Sequence, residues 1–165
     1  MSFSFLPKAM THALTDLTPR WLQDNQIRLL MLDFDNTIVP YTRNEPEEAV
    51  LSWLQEIRES GVELCVVSNS KRPRVVDFCN RYGLACVTHA RKPFSKGIRQ
   101  CLHRFDRKPE ESALVGDQIY TDVLGANAAG VYSILVDAID NHNIWLKLRH
   151  VAEKPFIIAA RKRRI

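Results

Sequence analysis

Five short apolar runs punctuate the chain, at residues 29–32, 62–67, 84–87, 112–115 and 132–136, and the stretches between them carry apolar side chains at helical spacing. Short strands alternating with helices call for crossover connections, which are right-handed and set the strands parallel. A parallel sheet must be covered on both faces. The expected fold class is therefore α/β, a Rossmann-like three-layer sandwich around a central parallel sheet. Such sheets bind ligands beyond the carboxyl ends of their strands. The polar residues gather at those ends: Asp33 and Asp35 after the first run, Ser68, Asn69 and Ser70 after the second, Asp117 and Asp122 after the fourth.

Local signals place the helices. Thr18 before Pro19 reads as an N-cap with proline at the first helical position. Asn44 and Glu47 stand at capping-box spacing ahead of Val50, Leu51, Leu54 and Ile57, which share one helical face until Gly61 ends it. Pro73 opens a helix that Gly83 closes, another runs from about residue 95 to 105, and the segment from Asp117 to Ala129 reads as helical. For Trp53 the helical spacing favours core packing. At 165 residues without repeats or low-complexity linkers, one domain is expected.

The stretch "MLDFDNTIV" sets two carboxylates two residues apart directly after an apolar strand. Side chains at i and i+2 share a side of a strand, so Asp33 and Asp35 are expected to converge and repel. Repulsion raises one pKa unless a cation sits between them. Such a pair suits chemistry in which one carboxylate attacks or binds metal while the other handles a proton. Taken singly, each residue has a plainer reading: an Asp/Asn turn, a capping Ser68, a surface Lys92, a turn at Asp117, a first-turn helix acid at Asp122. His89 matches no metal pair.

Together, "DFDNT", Ser68 in "VVSNS", Lys92 in "ARKPFSKG" and "GDQIYTD" occur in an order and spacing that resemble the four motifs of the haloacid dehalogenase (HAD) superfamily of phosphotransferases, over roughly residues 28–136. The resemblance implies a phosphatase with Asp33 as nucleophile forming an aspartyl-phosphate and Asp35 as general acid and then base. It implies Ser68 and Asn69 as phosphate contacts, and Lys92 as the group that offsets the phosphate and keeps Asp33 ionised. Mg²⁺ would be held by Asp33, Asp117 and the main-chain carbonyl of Asp35, with Asp122 orienting Lys92 or a water on the metal. Only 32 residues separate Asp35 from Ser68, and 23 separate Ser68 from Lys92, too few for an inserted cap domain, so the site is expected to be open. The capless layout and the "ARKP" form are similar to subclass IIIA, the YqeG-type group, and to phosphatidylglycerophosphate phosphatases. The implied substrate is a phosphomonoester, with phosphatidylglycerophosphate preferred. A soluble sugar phosphate, a nucleotide or a phosphoprotein would use the same core, and a non-catalytic scaffold on this fold remains an alternative. A receiver-like signalling module is disfavoured, because Lys92 precedes Asp117.

Charge adds little: 23 Lys and Arg against 19 Asp and Glu leave a net charge of +4, too weak to imply nucleic acid. The four cysteines show neither CxxC nor His spacing and read as reduced thiols, which with the poor signal-peptide character of "MSFSFLPKAM" gives a cytoplasmic expectation. Both ends mix apolar and basic residues: Phe3, Phe5, Leu6, Met10 and Leu14 at the start, Phe156, Ile157, Ile158, Arg161, Lys162, Arg163 and Arg164 at the finish. Such ends suit peripheral contact with an anionic membrane, at about 1 kcal/mol per charge. The competing reading is that the apolar residues pack on the sheet and the charges are solvated. No aromatic platform accompanies the basic tail, which disfavours RNA.

Overall fold

The computed structural model describes residues 4–140 and 144–165, and for 144–150 the backbone alone. Phe3 therefore lies outside the described residues. Strands β1 (Ala9–Thr11), β2 (Leu29–Leu32), β3 (Glu63–Val67), β4 (Ala85–Val87), β5 (Ser112–Gly116) and β6 (Tyr132–Val136) form one sheet in the order β1-β6-β5-β2-β3-β4. Every pairing is parallel. The helices are α1 (Pro19–Asp24), α2 (Glu48–Glu59), α3 (Pro73–Tyr82), α4 (Lys96–Arg104), α5 (Leu124–Ala129) and α6 (Ile144–Ala160). The connections β2 to β3, β3 to β4 and β4 to β5 hold one α-helix each, α2, α3 and α4.

Alternation along the strands divides the core in two. Leu30 and Leu32 of β2 join Leu64, Val66, Ala113 and Val115 on the face covered by Trp53, Leu54 and Ile57 of α2 and Val75 and Phe78 of α3. Leu29 and Met31 join Cys65, Val67 and Leu114 on the opposite face, under Ile98, Cys101 and Leu102 of α4 and Ala126 and Ala129 of α5. Each Leu or Ile removed from water here stabilises the fold by roughly 1.5–3 kcal/mol. Trp53 is a core residue, as its spacing suggests, and its indole N–H donates to the Leu17 carbonyl at 2.8 Å. Cys65, Cys79 and Cys101 are buried free thiols and Cys86 is half-buried.

The local signals hold with one exception. Thr18 caps α1 by accepting from the Trp21 N–H at 3.2 Å. Gly83 ends α3 in the left-handed region at φ 63°, a conformation that costs glycine little. Asn44, however, does not cap α2: the helix starts after Glu47, which makes no side-chain cap hydrogen bond. Pro46 explains the offset, since it favours extended backbone in the residue before it and the chain turns helical only beyond it.

Two elements went unforeseen. β1 adds a sixth strand beside β6, and α6 lies against the sheet end through Phe156, Ile157 and Ala160, packed with Met10, Ile119, Val123 and Leu135. Among the described residues, those near both ends make contacts with the rest of the fold. Met10 and Leu14 are buried, and Phe5 stacks on Phe156 at 5.1 Å and on Tyr120 at 5.7 Å. Arg163 donates to the Pro7 carbonyl at 2.6 Å and Arg164 reaches Asp137 at 3.3 Å, while Ile158 stays exposed. No helix among the described residues is long and apolar enough to cross a membrane.

Candidate active site

The register of the sheet brings the polar strand ends together. Leu32 of β2 lies between Val66 of β3 and Val115 of β5, so Asp33, Ser68 and Asp117 emerge within two residues of the same level. The Asp33 N–H still donates to Val115 at 2.9 Å, which holds the first carboxylate on the rim of the sheet. β4 contributes the turn after Val87, which carries Lys92. Asp122 comes from a π-helical turn, Ile119–Val123, ahead of α5.

Four of these side chains form one buried cluster. Lys92 Nζ lies 2.6 Å from Asp33 Oδ1 and 2.6 Å from Asp122 Oδ1. The first contact is an aligned hydrogen bond; the second is a close ion pair without hydrogen-bond alignment. Asp122 Oδ2 also accepts the Gln118 N–H at 3.1 Å. Asp33, Asp117 and Asp122 present carboxylate oxygens within 4.8 Å of one another, all buried. Three carboxylates thus face one ammonium. Burial pushes the Asp33 carboxyl up to about 8; Lys92 pulls it down, but Asp122 and Asp117 add to the rise. Burial acts to lower Lys92, yet Asp122 and Asp33 outweigh it and hold the ammonium above its ordinary value. Burial drives the first shift and the neighbouring carboxylates the second, and a divalent cation with oxygen ligands would offset the three negative charges.

Asp35 stands in a turn rather than on the strand. The regular strand ends at Leu32, and the chain turns at once: Ile38 and Val39 both donate to the Phe34 carbonyl, and Asn36 takes φ 65°. The i, i+2 rule stops with the strand. Asp35 turns instead to Arg74 of α3, 3.3 Å away, and its carboxylate lies outside the three-carboxylate group.

Ser68 is buried, and its hydroxyl accepts the Ser70 N–H at 3.0 Å. Asn69 does something the sequence did not suggest. Its amide nitrogen donates to the Lys92 carbonyl at 2.9 Å and its oxygen accepts the Lys92 N–H at 2.7 Å. Both ends of that amide grip the peptide of Lys92, so the Asn69 side chain anchors the turn that carries the lysine. Asn36 grips Asp140 in the same way, donating to its carbonyl and accepting its N–H, each at 2.8 Å. Thr37 Oγ1 is buried without a hydrogen-bond partner among the described residues. His89 is exposed and meets Thr88 at 3.3 Å. Sequence reasoning missed Arg74, which sits in the basic run "KRPR".

Comparisons with known proteins agree with this fold. The sequence pattern of the haloacid dehalogenase-like hydrolases matches residues 9–136. The chain is 29% identical over 160 residues to the probable phosphatase YqeG of Bacillus subtilis, covering 97% of this chain and 93% of that protein. It is 29% identical over 93 residues to the ribulose-1,5-bisphosphate 5-phosphatase of Halopiger xanaduensis, covering 51% of this chain but only 39% of that protein. Among solved structures, the cobalt-bound deoxy-D-mannose-octulosonate 8-phosphate phosphatase of Haemophilus influenzae superimposes with a TM-score of 0.56 at 12% identity, over 82% of this chain and 90% of that one.

Proposed function

The chain belongs to the haloacid dehalogenase-like hydrolases and is a phosphatase, and from that premise we propose that it hydrolyses phosphomonoesters with Mg²⁺ through an aspartyl-phosphate on Asp33. The observation that carries this reading is the buried group of Asp33, Asp117 and Asp122, two of which, Asp33 and Asp122, meet Lys92.

In the first step a carboxylate oxygen of Asp33 bonds to phosphorus, and the bond from phosphorus to the ester oxygen breaks. The electron pair leaves with the alcohol, whose oxygen takes a proton from Asp35. In the second step water bonds to phosphorus and gives a proton to Asp35, the bond from phosphorus to Asp33 breaks, and phosphate departs. Dividing hydrolysis in this way is the usual gain of covalent catalysis. Lys92 holds Asp33 Oδ1 in place, and the Ser68 hydroxyl, oriented by the Ser70 N–H, is free to donate its own proton to a phosphoryl oxygen. Asp33, Asp117 and the Asp35 carbonyl would hold Mg²⁺, which supplies neutralisation of the carboxylates and of the phosphoryl charge. Asp122, engaged by Lys92 and Gln118, sets the lysine.

For the substrate the reading is phosphatidylglycerophosphate, in line with the subclass IIIA resemblance. The absence of an inserted domain between β2 and β4 leaves the mouth open to a headgroup held in a surface. Two adjoining loops at that mouth, after β3 and β4, carry the exposed cations Lys71, Arg72, Arg91 and Lys96 and the exposed Phe94, features that suit an anionic membrane better than the chain ends do. A soluble sugar phosphate is the second reading, favoured by the named activity of the Halopiger relative.

The test is phosphate release from phosphatidylglycerophosphate in mixed micelles with Mg²⁺, beside a panel of soluble phosphomonoesters, for wild type and Asp33→Asn. Release from the lipid by the wild type alone supports mechanism and substrate. Release from soluble esters alone keeps the mechanism and removes the lipid. Equal activity in the variant overturns Asp33 as nucleophile.

A further inference from the structure

One charged side chain beside the site has no role in the chemistry above. Arg74 enters in the first turn of α3, directly after Pro73. Its guanidinium lies over the ring of Phe34, 5.1 Å from the centroid. Phe34 is itself fixed, fully buried and edge-on against Phe78 at 5.3 Å. From this perch Arg74 Nη2 comes within 3.3 Å of Asp35 Oδ1. Asp35 Oδ1, Arg74 Nε and Arg74 Nη2 are all buried and have no hydrogen-bond partner among the described residues.

A guanidinium shielded from water is costly without an acceptor, and Asp35 Oδ1 can serve it both in the carboxylate and in a carboxyl that carries its proton on Oδ2. Asp35 Oδ1 is thus kept turned toward the guanidinium. The side chain of Asp35 still retains 17% of its surface while Oδ1 is buried, so its exposure lies away from Oδ1. The link is short and stiff, because Phe34 stands between Asp33 and Asp35 in the sequence and Arg74 stacks on that very ring. Arginine suits the task, being planar, always charged and able to stack.

We propose that Arg74 is the positioning residue of Asp35: by holding Oδ1 it aims Oδ2 at the ester oxygen to be protonated. The inference rests on the reading of Asp35 as acid and base. Arg74 does not contact the substrate in this account; it acts through the carboxylate.

A misaimed general acid harms a poor leaving group and spares a good one. The quantity to read is kcat/KM, which covers the steps up to formation of the aspartyl-phosphate and so excludes the second use of Asp35. Arg74→Met keeps bulk over Phe34 and removes the charge; Arg74→Lys keeps the charge and loses the planar fork. The probes are p-nitrophenyl phosphate and whichever alkyl phosphomonoester of the panel the wild type cleaves best. Arg74→Met should lower kcat/KM for the alkyl ester by about 10- to 100-fold, a part of what a general acid supplies, and change the aryl ester by less than about threefold. Arg74→Lys should recover part of the loss, and carries the same comparison if the Met variant does not fold. Equal losses on both esters, or none on either, would overturn the proposal, as would a wild type that cleaves only the aryl ester. A wild type that cleaves neither ester removes the acid-base reading of Asp35 and this inference with it, a result distinct from equal losses.

Discussion

Gly116, the last residue of β5, offers a sharp test of how tightly the buried cluster is built. A methyl group at this position would fall inside van der Waals contact with the Asp122 carboxylate, meeting its Cγ, Oδ2 and Cβ. Asp122 has little freedom to give way. Its side chain is short, one oxygen is 2.6 Å from Lys92 and the other accepts a backbone N–H at 3.1 Å. Gly116→Ala must therefore either shift the end of β5 or push Asp122 off Lys92. Overpacking alone costs about 1–3 kcal/mol. Separating a buried ion pair raises the figure toward about 3–5 kcal/mol. A loss of about 3 kcal/mol in a chain of this size corresponds to a fall of roughly 6–12 °C in Tm. The assay is thermal unfolding together with kcat/KM on the best ester of the panel, and turnover should fall at least tenfold as Lys92 loses one of its two carboxylates. Gly61→Ala is the control. Gly61 has φ +86° but nothing within 4 Å of an added Cβ, so backbone strain of about 1 kcal/mol should be its whole cost, with turnover unchanged. If Gly116→Ala melts no lower than the control and keeps full activity, Asp122 is not anchored as described.

The charge surplus predicts a pH dependence. The folded Asp33 sits at about 8 against an ordinary 3.8, so the native state holds a proton that the unfolded state has released. Metal-free protein should lose stability as pH climbs from about 4 to 8, by up to about 1.4 kcal/mol per pH unit, and Mg²⁺ affinity should rise about tenfold per unit over pH 6–8 and then level off. Calorimetric Mg²⁺ titrations at several pH values check this, and an affinity flat across that window would show Asp33 already ionised. Removing the grip on Lys92 with Asn69→Ala deletes two hydrogen bonds and should cost about 1–2 kcal/mol by thermal or urea unfolding, with weaker inhibition by inorganic phosphate. Unchanged melting and unchanged inhibition would return Asn69 to an incidental role.

The central strands were legible because each combines an apolar run with a polar stop, and parallel pairing fixes where the stops collect. β1 was not. Three residues, Ala9, Met10 and Thr11, carry no period of their own, and they become a strand only because β6 offers them an edge. α6 was hidden by Pro155, which in sequence reads as a break and in the structure lies inside the helix. In the site, Asp33, Lys92, Asp117 and Asp122 were legible as a set and do assemble. The partnership of Asp35 with Arg74 was not, because it depends on the chain reversing after Phe34, and the alternation that predicts side-chain direction ends where the strand ends. The amide of Asn69 posed the same difficulty: a side chain that grips a peptide 23 residues away leaves no local trace.

The strand order β1-β6-β5-β2-β3-β4 also bears on how the chain is made. β1 leaves the ribosome ahead of the other five strands yet pairs with β6 alone, Ala9 beside Ile134. Through most of synthesis it has no neighbour, while β2, β3 and β4 can zip together as they emerge. Asp33, Ser68 and Lys92 are made before Asp117 and Asp122, so a fragment ending near residue 110 would hold only half of the cluster, with no Asp122 to share Lys92.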